Sequence, residues 1–175
     1  MIFVWELLFL TFIIATDLIS KELICPFLLE QPGEMYVILD KIFTFRYVEN
    51  TGASFGSFAG NQAMLIGVTT IVMIGIVALL IWQKDAPKFL RCSLLMILGG
   101  GIGNLVDRVA FSYVRDFIDY TFLDTFFGIK FAIGNVADIY LVVGVMMVIV
   151  YVFFAYSEKD FSKKWRSKVK YYYRI

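Results

Sequence analysis

The chain contains no histidine. That one absence excludes Ser-His-Asp and Cys-His catalysis, HExxH zinc chemistry and imidazole ligation together. Cysteine is scarce too. Cys25 and Cys92 are far apart and lack CxxC spacing, so neither a disulfide framework nor a metal site is expected. Cys25 follows Ile24, not the small residue that usually precedes a lipidated cysteine, and reads as an ordinary apolar side chain. Charge is sparse: 18% of the 175 residues are charged, 60% are hydrophobic and the mean hydropathy is +0.78. A soluble domain usually has about 45–50% apolar residues. Residues 1–175 therefore read as one integral membrane unit, with no room for a sizeable soluble domain. Gly99, Gly100, Gly101 and Gly103 are followed by no Lys-Ser/Thr pair, which excludes a phosphate loop. Glycines in a spanning helix suit close helix packing instead.

What is present is a set of long apolar runs. Stretches at about 1–20, 62–83, 89–109 and 134–156 approach or exceed the roughly 20 residues that cross a bilayer. The first lacks the basic start and the small-residue cleavage site of a signal peptide, so it reads as a retained helix. Glu6 lies in its first turns, where an interfacial carboxylate is tolerated. The second loop carries Lys84, Lys88 and Arg91, and the tail from about 157 to 175 holds seven of the sixteen basic residues. Positive-inside bias then puts both termini in the cytoplasm and the first and third loops outside. The tail reads either as a solvated segment or as one touching anionic lipid head groups. Within the first outer segment, about 36–60, the β-branched and aromatic run KIFTFRYVEN predicts one or two strands, followed by a glycine-rich turn. Phe43, Phe45 and Tyr47 share one strand face, expected to lie against the membrane or a bound partner. The third loop is rich in aromatics, among them Tyr113, Phe117, Tyr120, Phe122, Phe126 and Phe127, which suit an interfacial belt or a flap over a substrate.

Polar residues gather at one level of this bundle. GNLVD (103–107) closes the third helix and GNVAD (134–138) opens the fourth. The two helices run in opposite directions, so both motifs reach the outer side. In each, Asn and Asp stand three residues apart and share a helix face. Asn104, Asp107, Asn135 and Asp138 are thus expected to converge, with Arg108 beside them, Asn50 at similar depth, and Asp17 pairing with Lys21 one turn on. Ionisable groups within membrane segments are rare and tend to mark function. Without histidine, the available chemistry is that of two carboxylates sharing a proton, one activating water while the other polarises a carbonyl. Spacing leaves the partner of Asp138 open among Asp107, Asp116 and Asp119. A small carrier or channel subunit is the competing reading. It predicts polar residues through the whole depth of the bundle, whereas runs such as VTTIVMIGIVALLIW are almost wholly apolar.

DLISK (17–21), NTGASFG (50–56), GGGIGNLVDR (99–108), VRDF (114–117) and GNVAD (134–138) occur in one order across nearly the whole chain. In these motifs the chain resembles the bacterial lipoprotein signal peptidases, or type II signal peptidases. The resemblance implies a mainly α membrane fold, with four transmembrane helices and a β-rich outer cradle between the first and second. A short amphipathic stretch around 22–34 would partly cover the site. The resemblance also implies an aspartic-type endopeptidase with no cofactor or metal and no nucleic-acid partner. It would act as a monomer, near the outer face of the cell membrane, on prolipoproteins cut before a diacylglyceryl-modified Cys. By resemblance Asp116 and Asp138 are the catalytic pair. Asn50, Gly52, Asn104, Arg108 and Asn135 line the site, and Asp17, Lys21 and Asp107 orient it. The family usually has Phe where this chain has Gly134, and Thr where it has Ser20. The first departure is expected to loosen the start of the fourth helix or to widen the pocket.

Overall fold

A computed structural model describes residues 3–52 and 61–155. The glycine-rich turn beyond Gly52 and the basic tail lie outside the described residues. Helix α1 spans Val4–Leu29. Glu6 folds back to accept the Phe3 N–H at 2.9 Å, which satisfies one of the donors that a helix start leaves unpaired. The helix does not stop near residue 20. It runs on through Pro26 to Leu29, because Lys21, Cys25 and Leu28 continue its buried stripe. The stretch 22–34 is therefore mostly helix, not a separate amphipathic cover. Pro32 ends it, and Gly33 takes the turn at φ +69°.

Strands β1 (Met35–Leu39) and β2 (Phe43–Asn50) form an antiparallel hairpin. The third strand, β3 (Val114–Asp119), comes from the loop after helix α3 and pairs with β2, Asn50 opposite Val114 and Val48 opposite Asp116. The β structure is thus not confined to the segment between the first two helices. The face of Phe43, Phe45 and Tyr47 is partly covered by the chain itself. It packs on Cys25, Leu28, Phe117 and Ile118 of the chain itself, with Phe45 and Phe117 edge-to-face at 5.6 Å. The third-loop aromatics divide: Phe117 is core, Tyr120 and Phe122 line a cavity, and Phe126 and Phe127 of the short helix α4 (Thr121–Phe127) are exposed.

Helices α2 (Gln62–Trp82), α3 (Lys88–Phe111) and α5 (Val136–Val150, continued by a π-helical turn) are each long and apolar enough to cross a membrane. The molecule is a mainly helical membrane protein with these spans, the charged helix α1 and the small sheet. Helix α3 is its axis, packing on α1, α2 and α5. Glycine permits the closest approach: a Cβ at Gly100 would lie 2.5 Å from the Ala137 carbonyl, and one at Gly144 would lie 2.8 Å from that of Ser93.

The end away from the sheet has its own polar core. Glu6 is 1% exposed and is paired inside the bundle. It receives Arg91 Nε on one oxygen and Nη2 on the other, the latter at 2.9 Å. Arg91 Nη1 donates to the carbonyls of Leu80 (2.9 Å) and Gln83 (2.8 Å), which close α2. Around this pair pack Leu80, Leu94, Leu95 and Leu98 with Trp5 and Phe9.

Candidate active site

At the sheet end, α5 begins where its sequence dictates. Asn135 caps the helix, its side-chain oxygen accepting the Asp138 N–H at 3.1 Å, while Asp138 Oδ2 accepts the Asn135 N–H at 3.0 Å. This reciprocal box fixes both side chains of GNVAD before any other element contributes. Gly134 does not loosen the helix start. Its carbonyl accepts the N–H groups of Phe117 and Ile118 at 2.8 and 2.7 Å, and its N–H donates to the Ile118 carbonyl at 3.1 Å. The backbone of residue 134 is therefore stitched to β3.

The stitching brings Asp116 of β3 against the helix start. Asn135 Nδ2 donates to Asp116 Oδ1 at 2.6 Å, and Asn50 Nδ2 of β2 donates to Oδ2 at 2.8 Å. Asp138 Oδ1 accepts from Asn104 Nδ2 of α3 at 2.9 Å. Each carboxyl thus receives an amide N–H on both oxygens. Both line one cavity of about 730 Å³ with Asn50, Asn104 and Arg108. The rest of that cavity is largely apolar, walled by Val68, Val72 and Met73 of α2 and by Ile139 and Val142 of α5. Arg108 donates to the Gly52 carbonyl at 3.0 Å, and its buried Nε has no partner among the described residues. Gly52 N–H in turn holds Asn50 Oδ1 at 3.0 Å.

Asp107, the sequence twin of Asp138, is not in this cavity. It lies behind, 3.3 Å from Lys21 Nζ, and accepts Arg115 N at 3.0 Å and Nη2 at 2.9 Å. Of the other candidates for the Asp138 partner, Asp119 lies near the sheet edge beside Arg46 at 3.6 Å. Asp17 pairs with Lys21 at 2.8 Å as its spacing predicts, and its other oxygen accepts the Ala137 N–H at 2.9 Å. Sequence reasoning missed Arg115, which bridges Asp107 and Glu22 (2.7 Å) from the strand face opposite Asp116. The signal was available: adjacent opposite charges in a strand point to opposite faces, and β3 is buried on both.

Burial, and next the charge of Asp138, push the Asp116 carboxyl up from the usual carboxylate range to about 7, against the pull of its bonds to Asn50 and Asn135. Such an acid holds a proton near neutrality. A protonated carboxyl keeps an acceptor lone pair on its hydroxyl oxygen, so protonation of Asp116 is compatible with both amide bonds. This is the equipment for general acid–base work on a bound carbonyl.

Residues 9–154 match the family described as signal peptidase (SPase) II. The chain is 38% identical to the lipoprotein signal peptidase of Clostridium tetani (strain Massachusetts / E88), over 69% of this chain and 75% of that one. It is 36% identical to that of Moorella thermoacetica over 81% and 87%, and 34% identical to that of Brevibacillus brevis over 85% and 95%. A solved structure described as a bacterial membrane enzyme, determined by the in meso method at 2.3 Å, superposes with a TM-score of 0.74 at 28% identity, covering 91% of this chain and 90% of the other. Five motifs in order, two carboxyls on one apolar cavity and these likenesses lead to one conclusion: the chain belongs to the signal peptidase II family of lipoprotein signal peptidases and is an aspartic-type membrane peptidase.

Proposed function

We propose that this peptidase removes signal peptides from prolipoproteins, cutting before a diacylglyceryl-modified Cys with a water held between Asp116 and Asp138. One observation carries the reading: carboxyls from β3 and α5, both tied to Asn135, line one largely apolar cavity. In the working state Asp138 takes a proton from the water as it attacks the scissile carbonyl. Asp116, protonated, donates to the carbonyl oxygen to give a diol; as the C–N bond breaks the amine leaves with the proton that Asp138 gained, and one diol hydroxyl returns its proton to Asp116. Asn50, Asn104 and Asn135 hold the two carboxyls, Arg108 and Gly52 frame the mouth, and Asp17, Lys21 and Asp107 support them from behind. The apolar wall between α2 and α5 suits a signal helix and acyl chains arriving from the lipid. In this reading α1 is the fourth span, both termini are cytoplasmic, the sheet end faces outward and the monomer is the working unit.

The test is cleavage of a diacylglyceryl-modified prolipoprotein by the purified protein, beside the same precursor left unmodified. The modified precursor is cut and the unmodified one is not. Ion flux in liposomes without cleavage would replace this reading with the carrier. The pH dependence is also set. The pair works with one proton, and Asp116 loses it as pH rises through about 7. The specific rate kcat/KM should fall tenfold per pH unit above that value. A rate unchanged up to pH 9 would contradict the role given to Asp116.

A further inference from the structure

We infer that Lys21 is a positioning residue: it fixes the polarity of the amide chain that runs through Asn104 to the two carboxyls. The inference rests on the Asp116/Asp138 reading and deepens it.

Three asparagines serve the pair, and each amide has two orientations that differ only in where oxygen and nitrogen point. Two of the three are set by backbone. Gly52 N–H meets Asn50 Oδ1, and Asp138 N–H meets Asn135 Oδ1, so both NH2 groups face Asp116. Asn104 touches no such backbone donor in the bonds it makes. Its oxygen faces Lys21 Nζ at 3.1 Å and Asn135 Nδ2 at 3.0 Å, and its NH2 faces Asp138 Oδ1 at 2.9 Å. An ammonium only donates. A flipped Asn104 would set its NH2 against Lys21 Nζ and Asn135 Nδ2, and its oxygen against the Asp138 carboxylate. All three contacts would turn from attractive to repulsive, in a buried site where unmade bonds are costly. Lys21 thus adds the charged donor of the two that face Asn104 Oδ1, the other being the backbone-set amide of Asn135.

The ammonium is itself held. Lys21 is fully buried, between Asp17 Oδ2 at 2.8 Å and Asp107 Oδ2 at 3.3 Å, while Arg115 balances Asp107 from the other side. Gly103 leaves room for Asp17, since a Cβ there would collide with its carboxylate. A purely structural cation would need only the two aspartates. The third bond, to Asn104, is the one that reaches the site. Lys21 also contributes charge there. The charged and titratable groups around Asp116 are Asp138 from α5, Arg108 from α3 and Lys21 and Cys25 from α1, with the neutral Asn50 and Asn135 in contact.

The decisive comparison is Lys21→Gln against Lys21→Arg, scored per folded molecule. Glutamine is neutral and both donates and accepts, so it removes the charged contact that opposes a flip of Asn104 and leaves only Asn135 Nδ2 and Asp138 to hold it. Arginine keeps the charge and donates only. The expected result for Lys21→Gln is a kcat loss of about 10²-fold, as for other misplacements of reacting groups, with KM little changed and the alkaline limb of the pH profile moved upward. Lys21→Arg keeps the limb at its wild-type position. Infrared titration of the protonated carboxyl band, without substrate, should show the same upward move in Lys21→Gln, and this readout stands apart from cleavage. Should Lys21→Gln not accumulate, the charge-balanced pair Asp17→Asn with Lys21→Met keeps an acceptor for Ala137 N–H and should show the same kcat loss. Normal kcat and an unmoved limb in a folded Lys21→Gln protein would overturn the inference. A wild-type protein that cuts no lipidated precursor would overturn the dyad reading instead.

Discussion

Asp116→Asn and Asp138→Asn should each lower cleavage of a lipidated prolipoprotein by about 10²- to 10⁴-fold, the range contributed by a positioned general acid or base. Asparagine nearly matches aspartate in shape but can neither take the proton of a water nor give one to a carbonyl oxygen. The geometry adds a second cost. Asp116 receives Asn50 and Asn135 on its two oxygens, and Asp138 receives Asn104 and the Asn135 N–H on its own. A carboxamide has one acceptor oxygen, so in either variant its NH2 must face a donor. Each such mismatch costs about 1–3 kcal/mol. Both variants should therefore melt a few degrees lower, and rates must be normalised to folded, membrane-inserted protein. Asp107→Asn separates the roles. It disturbs Lys21 and Arg115 without touching the cavity, so it should cost more in stability than in chemistry. Cleavage retained in either folded Asp116 or Asp138 variant would remove that residue from the reaction.

The contrast between Asp107 and Asp138 marks what the sequence could and could not reveal. The echo of GNLVD and GNVAD was legible as two motifs meeting at one depth, and they do meet, through Asn104 and Asn135. Their symmetry does not carry into the cavity, because the carboxyl that shares it with Asp138 is Asp116, which sits on a strand. Spacing along a helix is a periodic signal, whereas Asp116 arrives through sheet pairing, which links residues with no fixed separation. The third strand was missed for the same reason. VRDFID is buried on both faces and shows no alternation, and only its pairing with β2 and its bridge to Gly134 define it. The end of α1 was placed short because Asp17, Lys21 and Glu22 interrupt its apolar run. Those charges are interior: Asp17 and Lys21 have zero exposure. Hydropathy reads a buried ion pair as a boundary when tertiary contacts have made it a core.

The second large effect lies at the opposite end of the bundle. Glu6→Gln should destabilise the protein by about 3–5 kcal/mol, because it leaves Arg91 buried without its counter-charge. Arg91→Met should cost at least as much, since it strips Glu6 of both guanidinium donors and also uncaps the Leu80 and Gln83 carbonyls that finish α2. Exchanging both at once, Glu6→Leu with Arg91→Met, removes the unpaired charge. It should recover most of the loss, falling short by about 0.5–1.5 kcal/mol for each α2 carbonyl left uncapped. Thermal unfolding in detergent measures all three variants, and kcat of the surviving folded fraction should stay near wild type because the pair is remote from the cavity. A melting temperature unmoved by Arg91→Met would show that this buried pair contributes nothing to the helix contacts around it.

The bond from Asp17 to the Ala137 N–H spans 120 positions of chain. Its consequence concerns the order of synthesis. Asp17 is made early, on α1, yet the Ala137 N–H that one of its two oxygens accepts arrives only with α5. Asn104 likewise waits for Asn135 and Asp138. A nascent chain holding only α1 to α3 therefore carries an incomplete polar cluster and no competent pair of carboxyls. The cavity lined by Asp116 and Asp138 is complete only once α5 has been made.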